Sequence, residues 1–396
     1  EQHVFKTESK VHVLNTCAVT EEAVKQAVRL ARKIKSMDPF SLVVVTGCGS
    51  QVETEKFAAV PAVDLVVANS HKAQLGTIIE NFYKLGPSQK VFKSNIFKKD
   101  ELEEGYGERE SHTRVFLKIQ DGCNSFCTYC VIPYARGKSR SLSVSDLVNS
   151  VKKFQERGVK EIVLTGIHIG DYESGDDRLE DLVEALLEKT SIPRIRLTSL
   201  EPVEVTEKLL NLFSDDRLCP HFHLSIQSAN DQVLKAMKRK YTQKDVISVF
   251  ERIHKVLKNP FIGMDLIVGF ANETEECFKD TYQVLKSLPW TKIHTFPYSE
   301  RPGTRAVGMK WDCSQADKIL RAKKIRELSE KRFSEEQKKQ LGTKKEALML
   351  KDSLLTKDYW KVLVPQALTE HRGKEFKVLI QKSQKDFLLG EILGWN

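Results

Sequence analysis

The sequence predicts a mixed α/β protein in three parts: a small parallel α/β domain, a partial (βα)6 barrel, and a small all-β barrel at the C-terminus. Three observations predict it. Apolar strand-like runs alternate with amphipathic helical segments over most of the first 300 residues. A polar, charged stretch interrupts that alternation near residues 86–111. After about residue 340 the helical period disappears and short β-rich runs separated by polar turns take over.

The first part reads as strand Val11–Thr16, helix Glu21–Met37, strand Leu42–Thr46, strand Val63–Ala68 and helix Lys72–Leu85. Cys17 in Asn15-Thr16-Cys17 and Cys48 in Thr46-Gly47-Cys48 each fall just past the carboxyl end of a predicted strand, the edge at which open parallel sheets bind ligands. From Gly86 to Ser111 the composition, including the run Lys-Lys-Asp-Glu-Leu-Glu-Glu-Gly at 98–105, predicts an interdomain linker. Strands are then expected at Val115–Ile119, Ile162–Thr165, Ile195–Ser199, Phe222–Ile226, Ile262–Val268 and Ile293–Pro297. Helices are expected at Val144–Arg157, Leu179–Lys189, Asp245–Leu257 and Glu276–Leu288. Six such units make a TIM-like barrel smaller than the eight-unit form, with its chemistry on the loops after the strands. A charged helix, Gln315–Gln340, leads to the tail, whose runs Ala347–Leu350, Tyr359–Val364, Phe376–Ile380 and Leu388–Leu393 predict a small β-barrel.

Composition narrows the function classes. The chain has 396 residues, 40% of them hydrophobic, enough to bury cores in two or three domains. No apolar run approaches the length of a membrane span. Eight cysteines in a chain of this size do not make a disulfide framework, and a reducing cytoplasmic setting fits them best. The net charge of +9 suits a polyanionic partner or a well-solvated surface. The tail from Gly342 carries ten Lys plus Arg against seven Asp plus Glu. There Tyr359 and Trp360, beside Lys357 and Lys361, could stack on bases while the lysines meet phosphate, or could pack a core. A basic β-barrel appended to a catalytic core favours RNA as substrate.

The chemistry concentrates in Cys123-Asn-Ser-Phe-Cys127-Thr-Tyr-Cys130, a loop just after the first barrel strand. Three thiolates there suit three corners of a [4Fe–4S] cluster, leaving one iron open. Zinc is the structural alternative, but a closed zinc site needs four ligands and this loop supplies no fourth Cys or His. A small-molecule pocket would be completed from later strand ends: Gly166 and Gly170 in Thr-Gly-Ile-His-Ile-Gly, Glu201 before Pro202, and Ser225, Gln227 and Ser228 on the fourth strand. Arg136 and Arg301 each offer a bidentate fork for a carboxylate or phosphate. His168 has no second His or Cys beside it and reads as a packing or hydrogen-bonding residue; Cys219, Cys277 and Cys313 read as structural.

The CxxxCxxC spacing, with Tyr129 before the last cysteine, resembles the signature of the radical S-adenosylmethionine (SAM) superfamily. The resemblance implies that the open iron chelates the amino and carboxylate groups of SAM and that an electron from the cluster cleaves it to a 5′-deoxyadenosyl radical, an oxidant no side chain can supply. It also implies that Gln227 and its neighbours meet the ribose or methionine part of SAM. Asn15-Thr16-Cys17-Ala-Val-Thr, Thr46-Gly47-Cys48 and Cys130-Val-Ile-Pro-Tyr-Ala-Arg136-Gly137 are similar, over essentially the whole chain, to the methylthiotransferases. That resemblance implies a second, auxiliary [4Fe–4S] cluster held by Cys17, Cys48 and a third cysteine upstream of Glu1, and a C-terminal TRAM barrel that binds nucleic acid. The implied domains are 1–90 with the auxiliary cluster, linker 91–111, the radical SAM domain 112–340 and the TRAM domain 341–396.

The implied reaction places a methylthio group on C2 of an adenosine at tRNA position 37. One SAM methylates a sulfur on the auxiliary cluster and a second supplies the radical. The implied partners are a tRNA anticodon stem-loop, a reducing electron donor and a sulfur source, with no membrane. Ala18-Val19-Thr20 and Pro-Tyr-Ala-Arg-Gly-Lys-Ser-Arg look most like the branch acting on N6-threonylcarbamoyladenosine (t6A). The branch acting on N6-isopentenyladenosine, and more distantly one modifying an aspartate of a ribosomal protein, are the alternatives. The extra carboxylate of t6A would welcome a cation, for which Arg136 is the candidate. Asp265 in Gly263-Met-Asp-Leu-Ile-Val-Gly matches a family motif, but Ala271-Asn272-Glu273-Thr274 stands where that motif continues Pro-Gly-Glu-Thr.

Overall fold

The structure, a computed structural model, describes residues 10–86, 88–99, 102, 113–310, 313–365 and 369–395. Most of the stretch read as a linker between residues 100 and 112 lies outside the described residues. By contacts the chain forms two compact units, one of residues 1–103, 122–140 and 299–309, the other of 104–121, 141–298 and 310–396.

In the first unit four parallel strands run in the order Val11–Thr16, Leu42–Gly47, Leu65–Ala68, Val91–Phe92. The Leu-Val-Val-Val run of the second strand is apolar at successive positions because both its faces are covered. Val43 and Val45 pack with Val24, Ala31 and Ile34 of helix Glu21–Met37, while Leu42 and Val44 pack with Ile78 of helix Leu75–Leu85. The hydroxyl of Thr20 accepts from Ala23 N at 3.2 Å and starts the first helix there. The fourth strand, two residues long, was not expected from the sequence, which assigned that stretch to a linker. Lys72, expected in the last helix of this part, lies instead in a 3-10 turn, Asn69–Gln74.

In the second unit six parallel strands follow chain order: Arg114–Lys118, Glu161–Thr165, Arg194–Leu197 continued by Ser199–Leu200, His221–Gln227, Phe261–Val268 and Lys292–Pro297. Each agrees with a sequence expectation to within one or two residues. Helices Val144–Glu156, Leu179–Lys189, Gln243–Val256 and Glu275–Ser287 connect them. Side chains alternate: Phe222, Leu224 and Ile226 enter the helix-covered core, whereas His223, Ser225 and Gln227 are only partly covered and stand on the other face. Helix Gln315–Lys338 packs on the sixth strand and leads into the tail.

The tail is a closed five-stranded barrel in the order Lys344–Met349, Leu354–Thr356, Lys361–Leu363, Leu388–Trp395, Glu375–Ser383. Closure leaves no open sheet edge. Its core includes Trp360, Val362, Phe376, Val378 and Ile380 together with Phe261 from the fifth strand of the large sheet. The strand Leu354–Thr356 is the member that the sequence did not disclose. A buried ionic network fastens this barrel to the amino ends of the large sheet: Glu161 accepts from Arg114 Nε at 2.7 Å and Arg196 Nε at 2.9 Å. Arg194 reaches Glu375 at 2.6 Å and the Leu355 carbonyl at 2.9 Å, and Arg196 reaches the Lys357 carbonyl at 3.0 Å.

Candidate active site

Two sets of thiols lie in the first compact unit. Thr16 and Gly47 are partners in the parallel register, so Cys17 and Cys48 leave the sheet from adjacent strand ends. Gly47 has φ +98°, and a Cβ on it would stand 2.5 Å from the Thr16 carbonyl, so only glycine allows the two ends to approach this closely. Cys17 Sγ accepts from Val19 N at 3.4 Å. Cys48 is buried at the start of helix Cys48–Val52 and accepts from Arg136 Nε at 3.0 Å and Asn69 Nδ2 at 3.6 Å.

The CxxxCxxC loop is built by backbone constraints. Gly122, at φ +79°, passes against the Lys138 carbonyl, only 1.9 Å from where a Cβ would sit. Cys123 N donates to the Gly137 carbonyl at 3.2 Å, and Cys130 N to the Cys127 carbonyl at 3.0 Å. Phe126 takes φ +46° at the turn, and its ring meets Phe97 and Tyr134 at 6.2 and 6.1 Å between centroids. Phe97 thus belongs to the loop's support, although its sequence neighbourhood reads as linker. Ser125 N and Ile132 N each donate to a cysteine sulfur, Cys123 and Cys130 respectively, at 3.4 Å.

These thiols fit an iron–sulfur cluster. Three sulfurs on one tight loop, two of them oriented by backbone N–H groups, suit three corners of a [4Fe–4S] cluster. A closed zinc site needs four ligands, and the loop itself supplies three cysteines. Cys17 and Cys48, at adjacent strand ends, offer two further sulfur donors.

Arg136 ends the short helix Ile132–Arg136 that follows Cys130, and the sulfur it meets is that of Cys48. Ala135 of the same helix accepts from Asn69 Nδ2 at 2.9 Å and packs with Ala18, Cys48 and Val131. Both thiol sets therefore share one support. Arg301 is buried and pairs with Glu53, which occupies the fork that the sequence offered to an incoming carboxylate.

In the second unit, the Gln120 Oε1 accepts from Ile167 N and His168 N at 3.0 and 2.9 Å, and Gly166 lies so close that a Cβ would meet that oxygen at 2.8 Å. Gly170 is pressed against the Glu204 carboxylate, 2.0 Å from a notional Cβ. His168 Nε2 meets Glu204 Oε1 at 2.5 Å and Glu201 Oε1 at 3.4 Å, while Arg239 holds Glu201 at 2.8 Å. Burial pushes the Glu201 carboxyl above its ordinary value, against the Arg239 guanidinium, which lowers it. Gly166, Gly170 and Glu201 thus converge on one turn with His168. Glu204 and Arg239 were not singled out from sequence; Glu204 sits three residues after Glu201 in a capping box, a pattern that could have drawn attention to it.

The fourth strand ends with Gln227 at φ +58°, after a register shift beyond Leu224. The Ser225 carbonyl is held by Arg239 and Tyr241 at 3.1 and 2.8 Å. Ser228 is buried, with its hydroxyl 3.5 Å from Thr281 and accepting from Asn230 N. Asp265 accepts from His223 Nε2 at 3.0 Å. The loop after that strand departs from Pro-Gly-Glu-Thr yet closes: Asn272 takes φ +63°, which Asn tolerates, and Glu273 accepts from Gly269 N at 2.9 Å and Arg321 at 2.7 Å.

In the tail, Trp360 is 3% exposed and wedged between Phe261 and Phe333, so core packing describes it. Tyr359 is 38% exposed with His221 at 4.0 Å between ring centroids. Cys219 and Cys277 are buried, and burial raises the Cys219 thiol. Cys313 is half-buried.

A six-stranded parallel sheet carrying a CxxxCxxC loop after its first strand defines a radical SAM enzyme, and residues 117–285 match the radical SAM superfamily. Residues 1–68 match the uncharacterized protein family UPF0004. A threonylcarbamoyladenosine tRNA methylthiotransferase, MtaB, of Aquifex aeolicus is 37% identical over 388 residues, 95% of this chain and 92% of the relative. MtaB of Bacillus subtilis is 35% identical, over 83% of this chain and 73% of the relative. The chain belongs to this family of radical SAM methylthiotransferases. A tRNA-2-methylthio-N(6)-dimethylallyladenosine synthase of Staphylococcus epidermidis is 34% identical over 76% of this chain and 60% of the relative. Among solved structures, the radical SAM methyltransferase TsrM of Kitasatospora setae shares the fold, with a TM-score of 0.57 and 15% identity over 75% of this chain and 65% of that one. No helix among the described residues is long and apolar enough to cross a membrane.

Proposed function

We propose that this protein is a tRNA methylthiotransferase that converts t6A at position 37 to its 2-methylthio form, with SAM as methyl donor and radical source. The observation that carries the reading is the second thiol set. Cys48 is joined through Arg136 and Asn69 to the helix that follows Cys130, so the CxxxCxxC loop and a second pair of sulfur ligands share one support. An enzyme that only cleaves SAM needs the first set alone; insertion of sulfur calls for the second.

In this reading Cys123, Cys127 and Cys130 hold the SAM-binding cluster, and Cys17 and Cys48 hold the auxiliary one with a further cysteine. When bound, the clusters and SAM supply one-electron chemistry, a 5′-deoxyadenosyl radical and the sulfur to be transferred. The residues of the chain do the remainder. Gly122 and Gly137 fix the loop, and the N–H groups of Ser125 and Ile132 orient two of its sulfurs. Gly166, Gly170, Glu201, Ser225, Gln227 and Ser228 line the strand ends where SAM is gripped. Arg239 pairs with the buried Glu201 at 2.8 Å and fixes the direction in which its carboxyl group meets a ligand. Tyr359 and the basic tail barrel meet the anticodon stem-loop. Domains 1–90, 112–340 and 341–396 with linker 91–111 divide the labour, and the protein works in the cytoplasm with an external electron donor and a sulfur source.

The test is mass spectrometry of nucleosides from tRNA of a strain lacking this activity, with and without the gene. Gain of 2-methylthio-t6A is expected. Gain of the methylthio group on the isopentenyl nucleoside alone would refute the t6A assignment, and no gain on either with loaded clusters would refute tRNA as the substrate.

A further inference from the structure

The concave face of the six-stranded sheet is not filled. Phe116 and Phe296, on the first and sixth strands, remain 51% and 47% exposed. Below them, toward the amino ends of the strands, a cavity of about 460 Å³ is lined by His221, His223, Gly263, Lys292, His294 and residues of the tail barrel that floors it, among them Lys361 and Asp386. Polar side chains and a glycine stand at His223, Gly263, Lys292 and His294, where a closed (βα) barrel would be packed by large apolar ones, while Phe261, Phe333 and Trp360 form the apolar part of the lining.

Three features of this cavity select a ligand. The first is charge. Lys292 and Lys361 face it against Asp386 alone among the described residues; burial, followed by His223, pushes the His294 imidazole below its ordinary value, so the imidazoles that line the cavity count as hydrogen-bonding groups. The second is an arrangement of donors. The His223 and His294 rings stand 5.5 Å apart between centroids, close enough for both to reach one planar anion. Asp265 accepts from Nε2 of His223, so Nδ1, turned toward Gly263, donates to an anion in the ring that carries both protons; a Cβ at Gly263 would lie 3.4 Å from that nitrogen, and the glycine leaves the space beside it free of a side chain. The third is an unsatisfied polar atom: His221 is 6% exposed, and its Nδ1 has no hydrogen-bond partner. Burial, followed by the Arg196 guanidinium and His223, pushes the His221 imidazole well below its ordinary value, so it contributes as a neutral group.

The cavity lies on the same strand as Gln227. His223 and Gln227 are on one strand, and four residues of strand span roughly 13 Å. A purine reacting near the Gln227 end and carrying an extended acyl substituent on N6 would send that substituent down the concave face toward His223.

We propose that His223, Lys292 and His294 bind the side-chain carboxylate of the threonylcarbamoyl group and thereby select t6A over adenosines whose N6 substituent is uncharged. The inference rests on the t6A reading above and replaces Arg136, whose Nε is directed at Cys48 Sγ, as the recognition group. A phosphate of the RNA backbone would satisfy similar donors, and the test separates the two sources.

Full-length protein with reconstituted clusters is titrated, by fluorescence anisotropy, with anticodon stem-loops bearing t6A37 or unmodified A37. The wild type is compared with Lys292→Met and His294→Gln. Wild type is expected to prefer the t6A stem-loop, and each variant to lose about tenfold or more of its affinity for that stem-loop while binding the A37 stem-loop as before, since a charge-assisted hydrogen bond is worth about that factor. SAM cleavage without RNA, unchanged in both variants, certifies folding. Equal loss on both stem-loops would assign the cavity to a backbone phosphate, and no loss on either would leave it without a part in recognition; each result overturns the proposal. If wild type neither prefers nor modifies the t6A stem-loop, the t6A reading itself fails. If wild type modifies it and the variants do so with unchanged KM, only the present inference fails.

Discussion

Replacing Glu161 with glutamine tests how the tail barrel is held to the large sheet. The carboxylate is inaccessible and takes Arg114 at 2.7 Å and Arg196 at 2.9 Å, with Arg194 4.0 Å away. Glutamine keeps the volume but removes the charge, so two fully buried guanidiniums lose their common counter-ion. Removing one partner of a buried pair costs about 3–5 kcal/mol. The three contacts share one carboxylate and do not add, and Arg194 and Arg196 keep Glu375 and three carbonyls of the tail. The expected cost therefore lies at the lower end, about 3 kcal/mol. Urea unfolding followed by tryptophan fluorescence measures it, since Trp290 and Trp360 both lie in this compact unit. Glu375→Gln, at a half-buried carboxylate, should cost about 1 kcal/mol.

The same group gives a pH signature. Burial raises the Glu161 carboxyl, but Arg196 and then Arg114 outweigh it and hold the group below its ordinary value. A carboxylate depressed in the folded state contributes stability that is fully present above its unfolded pKa, about 4.3, and is lost as pH falls through the lower folded value. The gap between wild type and Glu161→Gln should be constant from pH 7 to about 5 and shrink only in more acidic solution. A cost below about 1 kcal/mol at pH 7, or a gap already closing near pH 6, would refute the view that this network fastens the barrel.

Two other substitutions probe the remaining supports. Gly122→Ala would put a Cβ 1.9 Å from the Lys138 carbonyl at φ +79°, so the CxxxCxxC loop should lose its shape. Iron and labile sulfide are then expected to fall toward the content of the auxiliary cluster alone, with the circular dichroism of the chain retained. Trp360→Ala should cost about 3–5 kcal/mol because it empties the space between Phe261 and Phe333, a loss that thermal unfolding would register.

The strands and helices were legible because their periods are clean. Val-Val-Val at 43–45 and Ile-Val-Leu at 162–164 can only be strands covered on both faces, and Thr20, Ser143, Thr242, Thr274 and Ser314 each mark a helix start by capping it. The short strands Val91–Phe92 and Leu354–Thr356 were not legible, because two or three residues carry no period. Phe97 was hidden for another reason: a single aromatic in a lysine-rich stretch looks like linker until Phe126 and Tyr134 are found against it.

At the site, the CxxxCxxC spacing located the first thiol set, since a ligand loop is a local feature, whereas Cys17 and Cys48 stood out by their places just past two strand ends. Partners brought from afar were not readable. Arg136 meeting Cys48, and Glu53 meeting Arg301, join residues 88 and 248 positions apart. One signal was present and unused. Polar residues recur at every second position in His221-Phe-His223-Leu-Ser225-Ile-Gln227, which is how a strand announces one polar, unfilled face.

The central claim is that one thiol set serves SAM cleavage and the other sulfur insertion. It is tested most directly by anaerobic assay of reconstituted wild type, Cys127→Ala and Cys17→Ala with SAM, a reductant and t6A-bearing stem-loop, measuring 5′-deoxyadenosine and the methylthio nucleoside in the same samples. The account predicts that Cys127→Ala forms neither product, whereas Cys17→Ala still forms 5′-deoxyadenosine and no methylthio nucleoside. Methylthio insertion by Cys17→Ala, or loss of both products in both variants with folding intact, would contradict it.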